Sequence, residues 1–259
     1  MDNSVRIGVL GASGYTGADL IRLAALHPAI EITSVTANTY AGKTMAEVFP
    51  HLAFIDLPRL TKVEDADWSK VDAVFCGLPH GTTQEIIGEI LTENPAVKVV
   101  DMSADFRLRD PETYKIWYGH EHRALKLQDE AVYGLTEHYR EEIKRTRLVA
   151  CPGCYPTASL LAILPIVTSG QVVADDIVID AKSGISGAGR SPKQNTLFTE
   201  AGEGLSPYAV AEHRHAPEIE QEVELAMLGL GGWRIVHADP AIATARSRAS
   251  KGRRSSMVS

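Results

Sequence analysis

An α/β protein with a mainly parallel sheet is what this sequence predicts, and three features predict it. The run Val5-Arg6-Ile7-Gly8-Val9-Leu10 is short, β-branched and apolar. It is punctuated by Gly11-Ala12-Ser13-Gly14-Tyr15-Thr16-Gly17 and followed by Leu20, Leu23 and Ala24 at helical spacing. Strand-like runs then recur at 31–37, 71–76 and 96–101, with a helical pattern at 83–93 between the last two. Strands alternating with helices bury a parallel sheet between helical layers.

The first helix should stop at His27-Pro28, and Gly77-Leu78-Pro79 should end the third strand. Residues 105–128, rich in charge and aromatics, read as a long connection. Another apolar run at 147–150 leads into Cys151-Pro152-Gly153-Cys154-Tyr155-Pro156-Thr157. Beyond it, 158–167 is patterned as a buried helix and 176–181 as a strand, and Ala216-Pro217 opens a further helix. These boundaries predict a dinucleotide-binding domain over 1–150 and a catalytic domain over 151–227. A change of character follows at 228–259.

Composition excludes several classes. At 259 residues, 44% hydrophobic and 23% charged, the chain has globular values and length enough for a large core. No apolar run reaches the roughly 18 residues of a membrane span, and the first residues lack a signal peptide's apolar stretch. Three cysteines without a secretory signal read as cytoplasmic thiols. The net charge of −7 argues against nucleic-acid binding. Residues 228–259, with six Lys/Arg and one Asp, carry +5 against −12 for residues 1–227.

Gly11-x-x-Gly14-x-x-Gly17 lies between a strand and a helix. Glycines there permit a tight turn and close backbone approach, and the helix N-terminus offers free N–H groups to a pyrophosphate. This predicts a Rossmann-type dinucleotide site, a plain glycine turn closing a βα unit being the alternative. The second strand ends in Thr36-Ala37-Asn38-Thr39 with no acid for a ribose hydroxyl. That absence, beside Lys43, leans toward NADP over NAD.

Cys154 follows Pro152-Gly153 and opens a helix, a placement that favours a thiolate and hence a nucleophile. A packed small residue at a turn is the alternative. Cys151 completes a Cys-x-x-Cys, so a redox dithiol or half a zinc site also stays open; the one remaining cysteine, Cys76, excludes four-thiolate zinc by count. His213-Arg214-His215 offers imidazoles for acid/base work. The glycines between Ser183 and Arg190 could turn backbone N–H groups toward an anion, with Arg190 as a clamp.

Together these segments resemble the N-acetyl-gamma-glutamyl-phosphate reductase family. Further segments of the resemblance are Leu78-Pro79-His80-Gly81, Asp101-Met102-Ser103-Ala104-Asp105-Phe106-Arg107, Val132-Tyr133-Gly134-Leu135 and Pro217-Glu218-Ile219. The resemblance implies a Rossmann-type domain followed by an α+β catalytic domain, here C-terminally incomplete. It implies NADPH-dependent reduction of a small acyl-phosphate substrate in arginine biosynthesis, in the cytoplasm, by a homo-oligomer without metal. Cys154 would be the nucleophile and His213 the acid/base group. Gly11, Ser13, Gly14, Tyr15, Thr16, Gly17, Ser186 and Gly187 would hold NADP, and Arg107, Arg190, His215 and Glu218 the substrate. Aspartate- and lysine-pathway reductases share the chemistry and remain rivals, as does an inactive remnant.

Two departures carry expectations of their own. Cys151 stands where the family commonly has Asn, which raises an oxidative Cys151–Cys154 disulfide as a switch. The resemblance fades near residue 226, so 228–259 is expected to be a disordered basic tail, the mark of a shifted reading frame or truncated gene. The loss should expose apolar surface, weaken the fold and promote aggregation.

Overall fold

The computed structural model describes residues 4–172, 177–210 and 212–229. Six strands form one wholly parallel sheet: β1 (Val5–Leu10), β2 (Ile30–Val35), β3 (Ala73–Cys76), β4 (Lys98–Asp101), β5 (Val132–Tyr133) and β6 (Leu148–Ala150). Their spatial order is β2-β1-β3-β4-β6-β5. The order reverses between β1 and β3, and ligands of open parallel sheets bind at the carboxyl ends of strands beside such a reversal. The glycine loop leaves β1 at that point.

Helix α1 (Tyr15–Ala24) buries Ala18, Ile21 and Ala24 against Ile7, Val9 and Val35 on one face of the sheet. The short α2 (Met45–Val48) completes this layer and is closed by a capping box, in which Thr44 Oγ1 accepts from Glu47 N–H and Glu47 accepts from Thr44 N–H. On the other face, α3 (Thr83–Glu93) packs Ile87, Ile90 and Leu91 onto Val74, Val99 and Leu148. Strands covered on both sides need continuous apolar runs, as β3 and β6 have.

The expected long connection at 105–128 is instead structured. It contains α4 (Pro111–Tyr118) and the start of α5 (Leu125–Glu130). Asp110 caps α4, accepting from the N–H groups of Glu112 and Thr113, with Pro111 at the first helical position. That Asp-Pro start is a local signal which charge and aromatic content obscured. Beyond β5, α6 (Thr136–Arg145) was likewise unexpected, being polar and without a buried residue.

The second half begins with α7 (Cys154–Thr168), followed by α8 (Phe198–Ala201) and α9 (Ala216–Gly229). Helices α7 and α9 enclose Leu160, Leu164, Val167 and Val223 with Tyr133 and Leu135. The strand expected at 176–181 is not formed over 177–181. Among the described residues no strand lies beside this segment to take its N–H and C=O groups, and a β-prone run without a ladder partner stays irregular. Val178 is 90% exposed, and Phe198 and Leu205 are exposed as well. The helix α9 runs two residues beyond the boundary expected at 227, and the basic segment from 230 onward lies outside the described residues.

Leu148 is fully buried at the centre of the second layer. Leu148→Ala is expected to lower unfolding stability by about 2–5 kcal/mol, measured from urea midpoints, because the parallel sheet around it cannot collapse into the void.

Candidate active site

The glycine loop is shaped by close backbone approach. Gly11 has φ +76°, and a Cβ there would lie 2.7 Å from the Gly77 carbonyl oxygen. A Cβ at Gly17 would lie 2.6 Å from the Gly11 oxygen, so α1 can enter the turn this closely only without a side chain. Gly14 has no comparable crowding, its nearest neighbour being 3.6 Å away. The first helical bond of α1 runs from Ala18 N–H to Gly14 O at 3.0 Å, leaving the Tyr15, Thr16 and Gly17 N–H groups ahead of it at the helix mouth. This cradle fits the pyrophosphate of a dinucleotide.

Arg190 joins this end of the molecule. Its guanidinium donates to Ser13 O at 3.1 Å and Val48 O at 3.3 Å, and lies 4.3 Å from the centre of the Phe49 ring. Ser186 and Gly187, expected cofactor contacts, lie on an exposed single turn in the same loop. Arg190 is thus placed against the glycine loop, whereas the expectation set it on the substrate.

The thiol turn is built at the end of β6. Cys151 N–H donates to Asp101 O at 2.7 Å and carries the β4–β6 ladder one residue further. Residues 151–153 then run without turn or bend, Gly153 having φ −63° and ψ 161°, and Cys154 opens α7 as an exposed side chain. Thr157 N–H makes the first helical bond, to Gly153 O at 2.9 Å. The Cys154 and Tyr155 N–H groups precede it, and Pro156 in the first turn sacrifices no bond. Three extended residues span about 9 Å, beyond the separation at which a disulfide closes. The expected Cys151–Cys154 switch therefore does not fit this turn. Burial raises the Cys151 thiol above its usual range, with Arg107 opposing. Among the described residues no group of three or more His, Cys, Asp or Glu is arranged to hold a metal.

Both histidines stand against this turn. The His215 ring packs so tightly on Gly153 that a Cβ there would lie 2.5 Å from His215 Nε2. The His213 ring meets Tyr155 edge-on at 5.1 Å and His215 at 4.7 Å. His213 Nδ1 accepts from the His215 N–H at 3.1 Å, which leaves the neutral ring's proton on Nε2. Burial and then Arg214 push His213 down from its ordinary range. Tyr208, hydrogen-bonded to the Tyr155 hydroxyl at 2.7 Å, is pushed up to about 12 by burial, that bond and nearby Cys154. Arg214 lies over the Tyr118 ring and donates to His80 Nε2.

Arg107 and Glu218, expected to contact the substrate, lie buried behind the turn. Arg107, 9% exposed as a side chain, donates to Cys151 O at 2.7 Å and Met102 O at 2.9 Å. Glu218, 1% exposed, accepts from Gly153 N–H at 2.8 Å and the Tyr133 hydroxyl at 2.7 Å through Oε1. Its neighbour one helical turn on, Glu222, is equally buried and accepts from Tyr139 and Gln221. Tyr139, Glu222 and Tyr208 were not singled out in the sequence, and Tyr133 stood there only within a segment of the resemblance. Glutamates at 218, 220, 222 and 224 look alike there, and only packing against β5 and α6 selects two of them for burial.

Burial, then Arg107, His213 and Arg214, pushes His215 down to about 4. An unfolded histidine titrates near 6.5. Between about pH 6.5 and 4 the unfolded chain therefore binds a proton that the folded chain refuses, and this contribution to stability is lost as pH falls. Asp101, pushed up to about 6 chiefly by burial, acts in the opposite direction, its contribution being lost as pH rises from about 4 to 6. The difference between wild-type and His215→Gln urea midpoints isolates the histidine. It is expected to change steadily over pH 6.5 to 4, and a flat difference would exclude this role.

Comparison with known proteins identifies the family. Residues 6–146 match the family model described as semialdehyde dehydrogenase, NAD binding domain, and 154–230 match semialdehyde dehydrogenase, dimerisation domain. The chain is 53% identical over 228 residues to N-acetyl-gamma-glutamyl-phosphate reductase of Afipia carboxidovorans, covering 87% of this chain and 65% of that protein. It is 56% identical over 220 residues to the probable chloroplastic N-acetyl-gamma-glutamyl-phosphate reductase of Arabidopsis thaliana, covering 85% and 54%. The chain therefore spans about two thirds or less of these relatives' length. Among solved structures, aspartate semialdehyde dehydrogenase with NADP from Candida albicans aligns at 18% identity and TM-score 0.47, over 64% of this chain and 47% of that one. The nucleotide-domain match alone covers more than half the sequence, and the chain belongs to the semialdehyde dehydrogenase family.

Proposed function

We propose that this chain carries the site for NADPH-dependent reduction of N-acetyl-glutamyl 5-phosphate to the 5-semialdehyde and phosphate, a step of arginine biosynthesis. The observation that carries this reading is an exposed Cys154 at the first position of α7 with His213 and His215 packed on the residues flanking it. The identity to reductases of this name supports the substrate assignment.

On this reading Cys154 Sγ attacks the acyl carbon, the bond to the phosphate oxygen breaks, and inorganic phosphate leaves a thioester behind. The Cys154 and Tyr155 N–H groups at the mouth of α7 are placed to stabilise the oxygen that becomes negative. Bound NADPH supplies the hydride that this thioester, unlike a carboxylate, can accept. His213 Nε2–H hydrogen-bonds the oxygen of the thiohemiacetal anion that hydride transfer leaves. Collapse of that anion breaks the C–S bond and frees the semialdehyde and the Cys154 thiolate. Gly11, Ser13, Gly14, Tyr15, Thr16, Gly17, Ser186 and Gly187 would hold the nucleotide, and Arg214 is exposed where Arg107 is buried.

The reading divides the chain into a dinucleotide domain over 1–150 and a catalytic domain from 151, with the residues after 227 apart from both. It places the chain in the cytoplasm as a homo-oligomer, in keeping with the match to a dimerisation domain. Among the described residues no helix is long and apolar enough to cross a membrane. A catalytically silent chain is the second reading. It is favoured by the largely exposed, strandless course of residues 177–210, which include Ser186 and Gly187.

Phosphate-dependent reduction of NADP by N-acetylglutamate semialdehyde tests both. Activity lowered about a thousandfold or more in Cys154→Ser is expected. A folded wild-type chain without activity would establish the silent reading, and a preference for aspartate semialdehyde would reassign the substrate.

A further inference from the structure

The geometry points to Glu218 as a positioning residue for the nucleophile: its carboxylate holds the backbone N–H of Gly153 and thereby fixes where α7 begins and where Cys154 projects. This rests on the reading of Cys154 as nucleophile. The carboxylate lies behind the turn at 1% exposure, which leaves it no face toward a substrate.

The connections are short and converge on one oxygen. Glu218 Oε1 accepts from Gly153 N–H at 2.8 Å and from the Tyr133 hydroxyl at 2.7 Å. It therefore ties α9 to β5 and to the residue immediately before Cys154. Gly153 cannot find this partner within its own helix, because it is the residue preceding the first helical turn, and its N–H is buried behind that turn. Arg107 stands 3.6 Å from Glu218 Oε2 as an ion pair without a hydrogen bond, and it is already engaged by Cys151 O and Met102 O. Reach to Gly153 is therefore the more exacting demand on this side chain, and its charge the less exacting one. The His215 ring pressed on the other side of Gly153 leaves the turn no room to drift once the carboxylate holds it.

Two variants separate reach from charge. Glu218→Asp keeps the charge and withdraws the oxygen by one methylene; Glu218→Gln keeps the reach and removes the charge. In the full chain, hydrogen exchange at the Gly153 amide is compared with that at Val99, whose N–H bonds Arg147 O inside the sheet at 2.7 Å and reports global opening. Alkylation of Cys154 by iodoacetamide is followed by mass spectrometry in the same samples. Glu218→Asp is expected to exchange Gly153 about tenfold faster at constant Val99 exchange and to slow Cys154 alkylation about fivefold. Glu218→Gln is expected to stay within about twofold of wild type in both. A simple charge-pairing role predicts the reverse order, and Glu218→Gln at least as impaired as Glu218→Asp would overturn the assignment, as would two variants indistinguishable from wild type. If the Asp variant does not fold, Tyr133→Phe removes only the second donor on Oε1. Faster Gly153 exchange at constant Val99 exchange then supports the assignment, and unchanged Gly153 exchange overturns it. Wild-type Cys154 alkylated no faster than a simple thiol would count against the nucleophile reading alone, leaving Gly153 exchange to decide the role of Glu218.

Discussion

The arrangement around Cys154 depends on a carboxylate buried where carboxylates are expensive. Glu218 sits behind the thiol turn with two hydrogen bonds on one oxygen and Arg107 beside the other. Burial raises its titration, and the Arg107 cation, the Gly153 N–H and the Tyr133 hydroxyl oppose that rise. A carboxyl group in such a place persists only when neighbours replace the hydrogen bonds of the lost water, and those neighbours become fixed in turn. Here the neighbours are the backbone before the nucleophile, a β5 side chain and an arginine that also holds Cys151. One buried group thereby sets the relation between the sheet and the helices α7 and α9.

The same economy recurs around it. Glu222, one turn along α9, takes hydrogen bonds from Tyr139 and Gln221, and Gln221 in turn accepts from Arg109 N–H and donates to Arg107 O. Asp105 gathers the Gly81 and Thr83 N–H groups and the Tyr114 hydroxyl, so the loop after β3 is fastened to the segment after β4. These polar clamps lie at the carboxyl ends of strands, where a parallel sheet leaves backbone groups without ladder partners and where its sites are built. The apolar layers supply the bulk of the packing, and the clamps supply the register in which loops meet.

Much of the first half was legible in the sequence, because its signals are local. The β1 run, the glycines and the α1 spacing occupy adjacent residues, and 83–93 is the helix its periodicity implies. The long connection was misread because a two-residue start signal, Asp110-Pro111, was outweighed by the composition around it. The run at 176–181 failed for a different reason. Its β-branched residues describe a strand that needs a neighbour, and pairing is a property of two segments rather than one.

The sequence by itself determined the α/β class, the glycine cradle and the placement of a thiol at a helix start, since each follows from residues close together in the chain. Only the tertiary structure decided which glutamates are buried, that Arg107 and Glu218 stand behind the turn, and that Arg190 reaches the glycine loop. Those are long-range choices: Gly153 and Glu218 are 65 residues apart, and Arg190 and Ser13 are 177 apart. A charged side chain carries no mark in sequence of whether it will be solvated or enclosed. Its partners, brought together by the packing of distant elements, settle that question.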